Sequence, residues 1–302
     1  MSSIALPGRR KPGTRRRRRS RRSTRTLVMR LVLYAVLLVL GVVFVAPVVW
    51  GFIASLRPLS AGVGGPILTH PLHWHNYSRA WNYPRANFPH YLKNTVFLTA
   101  LATIPMVLTS ALAGFGFARH RARGRNVLFL IMIATTFIPF AVTFLMTYFL
   151  FLQVHLIDTY WPWLLWGLSG NAGMIFLFRQ FYMNFPTELD DAASIDGCGR
   201  LRTFIQVYLP NSTSILAVAG VILGIGWWGD YVWAQLLLNT DQTTLGPKIG
   251  FGYYEPPGAQ SNFLSTPETL AAALMYTVPP LLFFFLLQKK LARGSVTTGV
   301  TG

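Results

Sequence analysis

The residues that could do chemistry in this chain are few and clustered. Four of its nine carboxylates, Glu188, Asp190, Asp191 and Asp196, fall in the stretch ELDDAASIDGCGRLRTFIQVYLP at 188–210. Acids at that density could hold a metal or trade protons, yet no nucleophile–base pair stands with them, and their spacing fits helix-end chemistry instead. Thr187 is placed to cap a helix whose first turn carries Glu188, Asp190 and Asp191, where the positive end of the helix dipole favours negative charge. Asp190, three residues on, takes the capping-box position with a shorter acid. Leu189, Ala192, Ala193 and Asp196 recur at i, i+3, i+4 and i+7, a narrow face of small residues. Gly197 follows as a left-handed stop. Beyond it Leu201, Phe204, Ile205 and Tyr208 repeat the spacing up to Leu209-Pro210. The expectation is two short amphipathic helices joined by a glycine bend, with a face that another backbone can approach closely. That describes a docking surface.

Asp230 is the second chemical candidate, in GWWGDYVWAQLLL (226–238) beside Trp227, Trp228, Tyr231 and Trp233. A charge inside an apolar run is expensive and, when functional, faces a cavity. Two readings stay open: a headgroup-level charge beside an aromatic belt, or a pathway site in which Trp228 and Tyr231 offer stacking faces while Asp230 accepts hydrogen bonds. His70, His73 and His75 in THPLHWHNY mimic a metal site, but no carboxylate or cysteine in that loop completes a coordination sphere. They read as loop histidines, and no metal site is expected. Cys198 is the only cysteine, which excludes an intrachain disulfide. No Gly-x-x-x-x-Gly-Lys-Ser/Thr phosphate loop occurs, so ATP hydrolysis by this chain is not expected. No constellation supports an enzyme.

The elements that must position these residues are membrane helices. Of 302 residues, 52% are hydrophobic and only 12% charged, which excludes an ordinary soluble fold. Crossing roughly 30 Å of hydrocarbon takes about 20 helical residues, and six apolar stretches qualify: 31–54, 91–118, 127–152, 161–183, 214–238 and 270–291. They are too long and too uniformly apolar for barrel strands. Pro105, Pro139, Pro279 and Pro280 are expected to kink three of them. The fold class is therefore an all-α membrane protein with six transmembrane helices. Its divisions are an Arg-rich, disordered tail (1–30), a first span with an outer loop (31–90), a core (91–291) that includes the loop 186–210, and a short C-terminal tail (292–302).

Charge sets orientation. The formal charge is +18, with twelve of the 27 basic residues in the first 30 positions. With both termini cytoplasmic, 22 basic residues lie inside and five outside, as the positive-inside rule requires. The Arg tail then reads as a topogenic signal that touches anionic membrane lipid, and no nucleic-acid partner is expected. The first apolar run exceeds a signal-peptide core and reads as a retained anchor.

The segment DAASIDGCGRLRTFIQVYLP resembles the EAA loop of permease subunits of ATP-binding cassette importers: Glu-Ala-Ala, three residues, Gly, nine residues, Ile, one residue, Leu-Pro. Asp191, Ala192, Ala193, Gly197, Leu209 and Pro210 occupy the required offsets, with Asp191 for Glu and Val207 for Ile. WHNYSRAW, YLKNTVFLTALAT, FGFARHRARGR and TTFIPF are similar to the carbohydrate-uptake branch, of the maltose-importer type. GWWGDYVWAQLLL and the closing QKKLARGSVTTGVTG resemble it as well, with Gly229 where Asn is usual; the Arg-rich start has no counterpart.

The resemblance implies a type-1 ABC importer transmembrane domain in a bacterial inner membrane. Glu188, Asp191, Ala192, Ala193, Asp196, Gly197, Phe204, Leu209 and Pro210 would couple to the ATPase. ATP and Mg would be bound by two cytoplasmic ATPase subunits, with no cofactor in this chain. A second permease subunit, in a heterodimer, would complete the pathway. An extracytoplasmic substrate-binding protein would meet the loop 239–269, whose tip is Tyr253, Tyr254 and Glu255; on composition alone that loop is a connector. The cargo implied is a sugar or sugar derivative, with glycerol phosphate or another polyol as the alternative. A stand-alone secondary carrier would instead show intramembrane relay charges and inverted repeats.

Overall fold

Apolar runs of this length satisfy their backbone in lipid as helices, and among the described residues the structure has no strand. The computed structural model describes residues 19–58, 69–83, 87–252 and 267–296. The chain divides into two compact units at Phe52/Ile53. The first is built on α1 (Arg19–Ser55), a 37-residue helix with Pro47 inside it. Helix begins at Arg19, inside the segment expected to be a disordered tail to residue 30. Once the apolar run has nucleated a helix, adding arginines of good propensity costs little.

The second unit contains α2 (His75–Asn82), α3 (Phe88–Arg119), α4 (Arg125–Thr135), α5 (Phe140–Gln153), α6 (Trp161–Ser169), α7 (Ala172–Met183) and α8 (Glu188–Ile195). It continues through α9 (Arg200–Thr203), α10 (Thr213–Trp228), α11 (Val232–Leu237), α12 (Leu245–Gly252) and α13 (Pro267–Val296). Between α9 and α10 the backbone passes through a π turn, Phe204–Tyr208, and a 3-10 turn, Pro210–Ser212.

Helix α3 is the central element, packed by α6, α7 and α10, with α13 against α10. Close approach depends on glycine at two crossings. A Cβ on Gly114 would sit 2.5 Å from the Phe178 Cβ of α7, and one on Gly167 would sit 2.9 Å from the Ala102 carbonyl oxygen of α3. Small residues at crossings let membrane helices make backbone-distance contacts that larger ones forbid.

Among the described residues four helices are long and apolar enough to cross a membrane; a fifth crossing arises if the bent pair α4–α5 is counted as one, its halves meeting at 95°. Three of the six expected spans are thus broken. The stretch 127–152 turns sharply at Thr136–Pro139, because Pro139 lacks a donor and drives its predecessor from helical geometry. The stretch 161–183 breaks at Gly170, which has φ +73°. The freed backbone groups there are recaptured by α3: Thr109 Oγ1 donates to the Gly167 carbonyl at 3.0 Å, and the Asn171 N–H donates to Ser110 Oγ at 2.9 Å. The stretch 214–238 ends its first helix at Trp228 and resumes at Val232.

At the Phe88 end of α3, α2 is the clamp. Asn76 Nδ2 donates to the Ser55 and Arg57 carbonyls, both at 2.8 Å, and Ser55 Oγ lies 2.9 Å from the Tyr77 hydroxyl. Arg79 pairs with Glu268 of α13 at 3.6 Å.

Candidate functional site

The loop 186–210 sits at the Arg119 end of α3. Its glycine bend is built as the residue order demands. Gly197 has φ +70°, its N–H donates to the Ser194 carbonyl at 3.1 Å, and the Cys198 N–H reaches back to the Ala193 carbonyl at 2.9 Å. Those two bonds define a Schellman end to α8. The start of α8 differs from expectation: Thr187 already has helical angles (φ −69°, ψ −24°) and makes no side-chain cap, so there is no capping box. Asp190 is engaged elsewhere, and the helix dipole accounts for Glu188 and Asp191 in the first turn.

The expected docking face is rotated. Ala193 is buried and Leu189 half-buried against the chain's own body, whereas Glu188, Asp191, Ala192 and Asp196 are exposed, together with Ile195 at 86%. The free stripe therefore runs Glu188, Asp191, Ala192, Ile195, again at i, i+3, i+4 and i+7, with an isoleucine that spacing alone had left out. After the bend, the face expected from Leu201, Phe204, Ile205 and Tyr208 splits. Leu201 and Ile205 are exposed, while Phe204 and Tyr208 join a buried cluster with Phe115, Phe178 and Tyr182. A π turn holds five residues where an α turn holds four, so α-helical spacing cannot assign its faces. Of the expected coupling residues, then, Ala193 and Phe204 are internal, Leu209 is half-buried, and Glu188, Asp191, Ala192, Asp196, Gly197 and Pro210 are exposed.

Asp190 points the other way from Asp191. Its Oδ1 accepts the Tyr208 hydroxyl at 2.7 Å, and its Oδ2 lies 3.5 Å from Arg119 Nη1, the last residue of α3. Arg119 Nη2 also donates to the Phe185 carbonyl. Burial, and the bond to Asp190, push the Tyr208 phenol above its ordinary range and keep it the donor. Burial first and the Arg200 charge second hold the nearby His120 below its usual range, with Asp190 opposing them.

The residues expected at a pathway do not share one environment. Trp228 stacks on Tyr276 of α13 (centroids 5.3 Å apart, 27° between planes), its Nε1 donates to the Tyr276 carbonyl at 3.1 Å, and the Tyr276 hydroxyl donates to the Trp228 carbonyl. Pro280 has no N–H to offer the Tyr276 carbonyl four residues earlier, so the indole supplies the missing donor. Trp228 also lines a cavity of about 370 Å³ with Thr99, Thr103, Gly224, Pro280 and Phe283. The Thr99 and Thr103 hydroxyls are buried there without a partner among the described residues. Asp230 faces a different neighbour: its Oδ2 accepts Trp163 Nε1 at 3.1 Å, and its Oδ1 accepts the Trp233 N–H at 3.2 Å, capping α11. Tyr231 is 40% exposed. The residues Tyr253, Tyr254 and Glu255 lie outside the described residues. Among the described residues no three His, Cys, Asp or Glu side chains are grouped to hold a metal.

Sequence spacing missed Arg119, Trp163, Tyr276 and Ile195. Only the last carried a signal, as a large apolar residue directly ahead of Asp196-Gly197.

The profile of the family described as binding-protein-dependent transport system inner membrane component matches residues 106–296. The lactose transport system permease protein LacG of Rhizobium radiobacter is 27% identical over 267 residues, covering 87% of this chain and 94% of that one. The sn-glycerol-3-phosphate transport system permease protein UgpE of Yersinia pestis is 28% identical over 270 residues, covering 86% and 94%. Among solved structures, a bacterial ABC transporter involved in the import of the acidic polysaccharide alginate aligns with a TM-score of 0.72 at 22% identity. The alignment covers 92% of this chain and 99% of that one, and it establishes a shared fold.

Proposed function

The chain belongs to the family of binding-protein-dependent transport system inner membrane components, and from that premise we propose that it forms half of the translocation pathway of an ATP-driven importer for a sugar or sugar derivative. Two cytoplasmic ATPase subunits would bind ATP and Mg, a second permease chain would complete the pathway, and an extracytoplasmic binding protein would deliver the cargo. Six crossings with both termini cytoplasmic fit the charge asymmetry, with α4–α5 and α6–α7 each acting as one interrupted span.

The observation that carries this reading is the exposed side of α8, with three carboxylates, an alanine and an isoleucine presented beside a glycine bend. The proposed contact with the ATPase is made by Glu188, Asp191, Ala192, Asp196, Gly197 and Pro210, while Ala193, Phe204 and Leu209 hold the loop from behind. Asp191→Lys reverses a charge that is free to meet a partner; losing one good charge contact and gaining a repulsion is worth about 3 kcal/mol, or roughly a hundredfold in affinity. Copurification of the ATPase with this variant is expected to fall accordingly. Undiminished copurification and uptake would show that the loop docks nothing.

The proposed pathway residues are Trp228, Asp230 and Tyr231. Trp228 has the best support, because it lines a cavity that also holds two unpartnered hydroxyls. Asp230, with both carboxylate oxygens occupied, would act by positioning Trp163 and Trp233. Trp228→Ala and Asp230→Ala are expected to cut uptake of the cognate sugar at least tenfold, each removing about 1.4 kcal/mol or more of interaction, with ATPase copurification retained. Normal uptake in both removes the pathway from this side of α10. The cargo is read as neutral sugar because the sequence shows no cluster of basic residues on the outer side to match a phosphate; thermal-shift screening of the binding protein with sugars and with glycerol phosphate discriminates the two.

A further inference from the structure

The first turn of α8 presents three acids, and two of them, Glu188 and Asp191, are exposed. The third is used inside the molecule. We infer that Asp190, with Tyr208 and Arg119, forms a strut that makes α8 and the end of α3 move as one body; this rests on the coupling role proposed above for α8.

The geometry is that of a three-way joint. Asp190 belongs to α8, Arg119 is the last residue of α3, and Tyr208 closes the π turn that leads into α10. Each Asp190 oxygen takes one of the other two elements, Oδ1 from Tyr208 at 2.7 Å and Oδ2 from Arg119 at 3.5 Å. The joint is set in packed aromatic material. Tyr208 is fully buried, its ring 4.6 Å from Phe115 of α3, 5.2 Å from Phe185 and 5.5 Å from Tyr182 of α7. The Arg119 guanidinium lies 5.6 Å over the same Tyr208 ring, and that side chain is only 11% exposed. The Asp190 side chain is 35% exposed, so the pair is partly buried, and removing the carboxylate leaves the enclosed cation without its counter-charge.

Beyond α8 the chain offers a poor mechanical alternative. On its C-terminal side α8 is joined through Gly197 and Gly199, both exposed, and a Cβ added at either would meet nothing within 4 Å. Once the two bonds that close α8 are passed, Gly199 lets the connection yield, because its backbone has many accessible conformations. Apart from the strut, α8 rests on the bundle through Ala193 and the half-buried Leu189, apolar contacts that can slide. A pull on the exposed stripe would therefore reach α3 through Asp190, and through the chain at Phe185, whose carbonyl also accepts from Arg119. Asp190 is in this sense a positioning residue, acting through Arg119 and Tyr208 and not by touching the ATPase.

The test uses the chain copurified with its ATPase partners. With Cys198→Ser to remove the native thiol, spin labels are placed at Ser194→Cys, exposed on α8, and at Gly116→Cys on the last turn of α3, where a side chain meets nothing within 4 Å. Pulsed EPR then reads the distance between them with and without ATP and vanadate. The expected result is one unchanged distance in the parent protein, and a shifted or broadened distribution on ATP trapping in both Asp190→Asn and Tyr208→Phe. Tyr208→Phe keeps the buried ring, so it remains informative where loss of the charge pair destabilises the fold. Asp190→Glu, which keeps the carboxylate, should behave like the parent. A fixed distance in Asp190→Asn and Tyr208→Phe with the ATPase bound and trapped overturns the strut. Loss of ATPase copurification in Tyr208→Phe also overturns it, by placing the residue's role at the docking face. If no ATPase copurifies with the parent, the coupling reading fails, and the strut fails with it.

Discussion

Replacing Gly197 by valine is expected to abolish ATPase copurification and uptake while the membrane helices stay folded. The effect arises from one backbone angle. At φ +70° an ordinary residue in left-handed geometry carries about 1–2 kcal/mol of strain, and a β-branched one more. A Cβ at this position meets nothing within 4 Å, so the cost is purely conformational and the chain can escape it by abandoning the bend. That escape breaks the bonds from Gly197 and Cys198 to Ser194 and Ala193 and re-aims the stripe of Glu188, Asp191, Ala192 and Ile195. A shift of about 2 kcal/mol changes the population of the bent form by roughly thirtyfold. Asparagine visits the left-handed region more readily than other side chains, so Gly197→Asn should retain most copurification, with Gly197→Ala between. Equal copurification of the Val and Asn variants would show that the bend is not what the partner reads.

Gly114→Ala should destabilise the bundle by about 3 kcal/mol, seen as a lower thermal midpoint of the detergent-solubilised chain. The added carbon would lie 2.5 Å from Phe178 Cβ, 3.0 Å from the Arg179 backbone nitrogen and 3.1 Å from the Ile175 carbonyl oxygen. Two of these neighbours are backbone and the third is the first carbon of a fully buried side chain, so α3 and α7 must separate; overpacking of this kind costs typically about 1–3 kcal/mol. Gly116→Ala, two residues along the same helix, is the internal control. Its new methyl meets nothing within 4 Å, and the alanine gains about 1 kcal/mol of helix propensity. The two variants should move the midpoint in opposite directions. Parallel shifts would mean that the Gly114 crossing is not tightly packed.

Much of this protein was legible in one dimension. Apolar runs near 20 residues long compel helices, because nothing else satisfies a backbone in hydrocarbon, and the described residues are helical throughout their regular structure. The order Asp191-Ala192-Ala193 and Gly197, then Leu209-Pro210 at fixed spacing, marked the loop proposed to dock the ATPase, and the left-handed Gly197 stands where its lack of a side chain placed it. The alternation of basic loops was enough by itself to set the proposed orientation.

The broken spans were less legible. Pro139 announced its break, but Gly170 is one glycine among 26, and the interruption there survives because Thr109 and Ser110 of α3 satisfy the freed groups. The joint at Asp190 is not written locally at all. Asp190 and Asp191 are neighbours of the same type with the same helix-start chemistry. One faces outward and the other is locked inward, because Arg119 and Tyr208 arrive beside it from other elements. The same holds for Asp230, whose environment is decided by Trp163, and for Trp228, which answers the carbonyl left bare by Pro280. Periodicity and propensity act within a few residues, so by itself the sequence determined which segments are helical and where a glycine or proline such as Gly197 and Pro139 turns the chain. Which face of each element is free, and which charge is spent inside the fold, depends on groups far apart in the chain meeting at hydrogen-bond distance, and only the tertiary structure decided it.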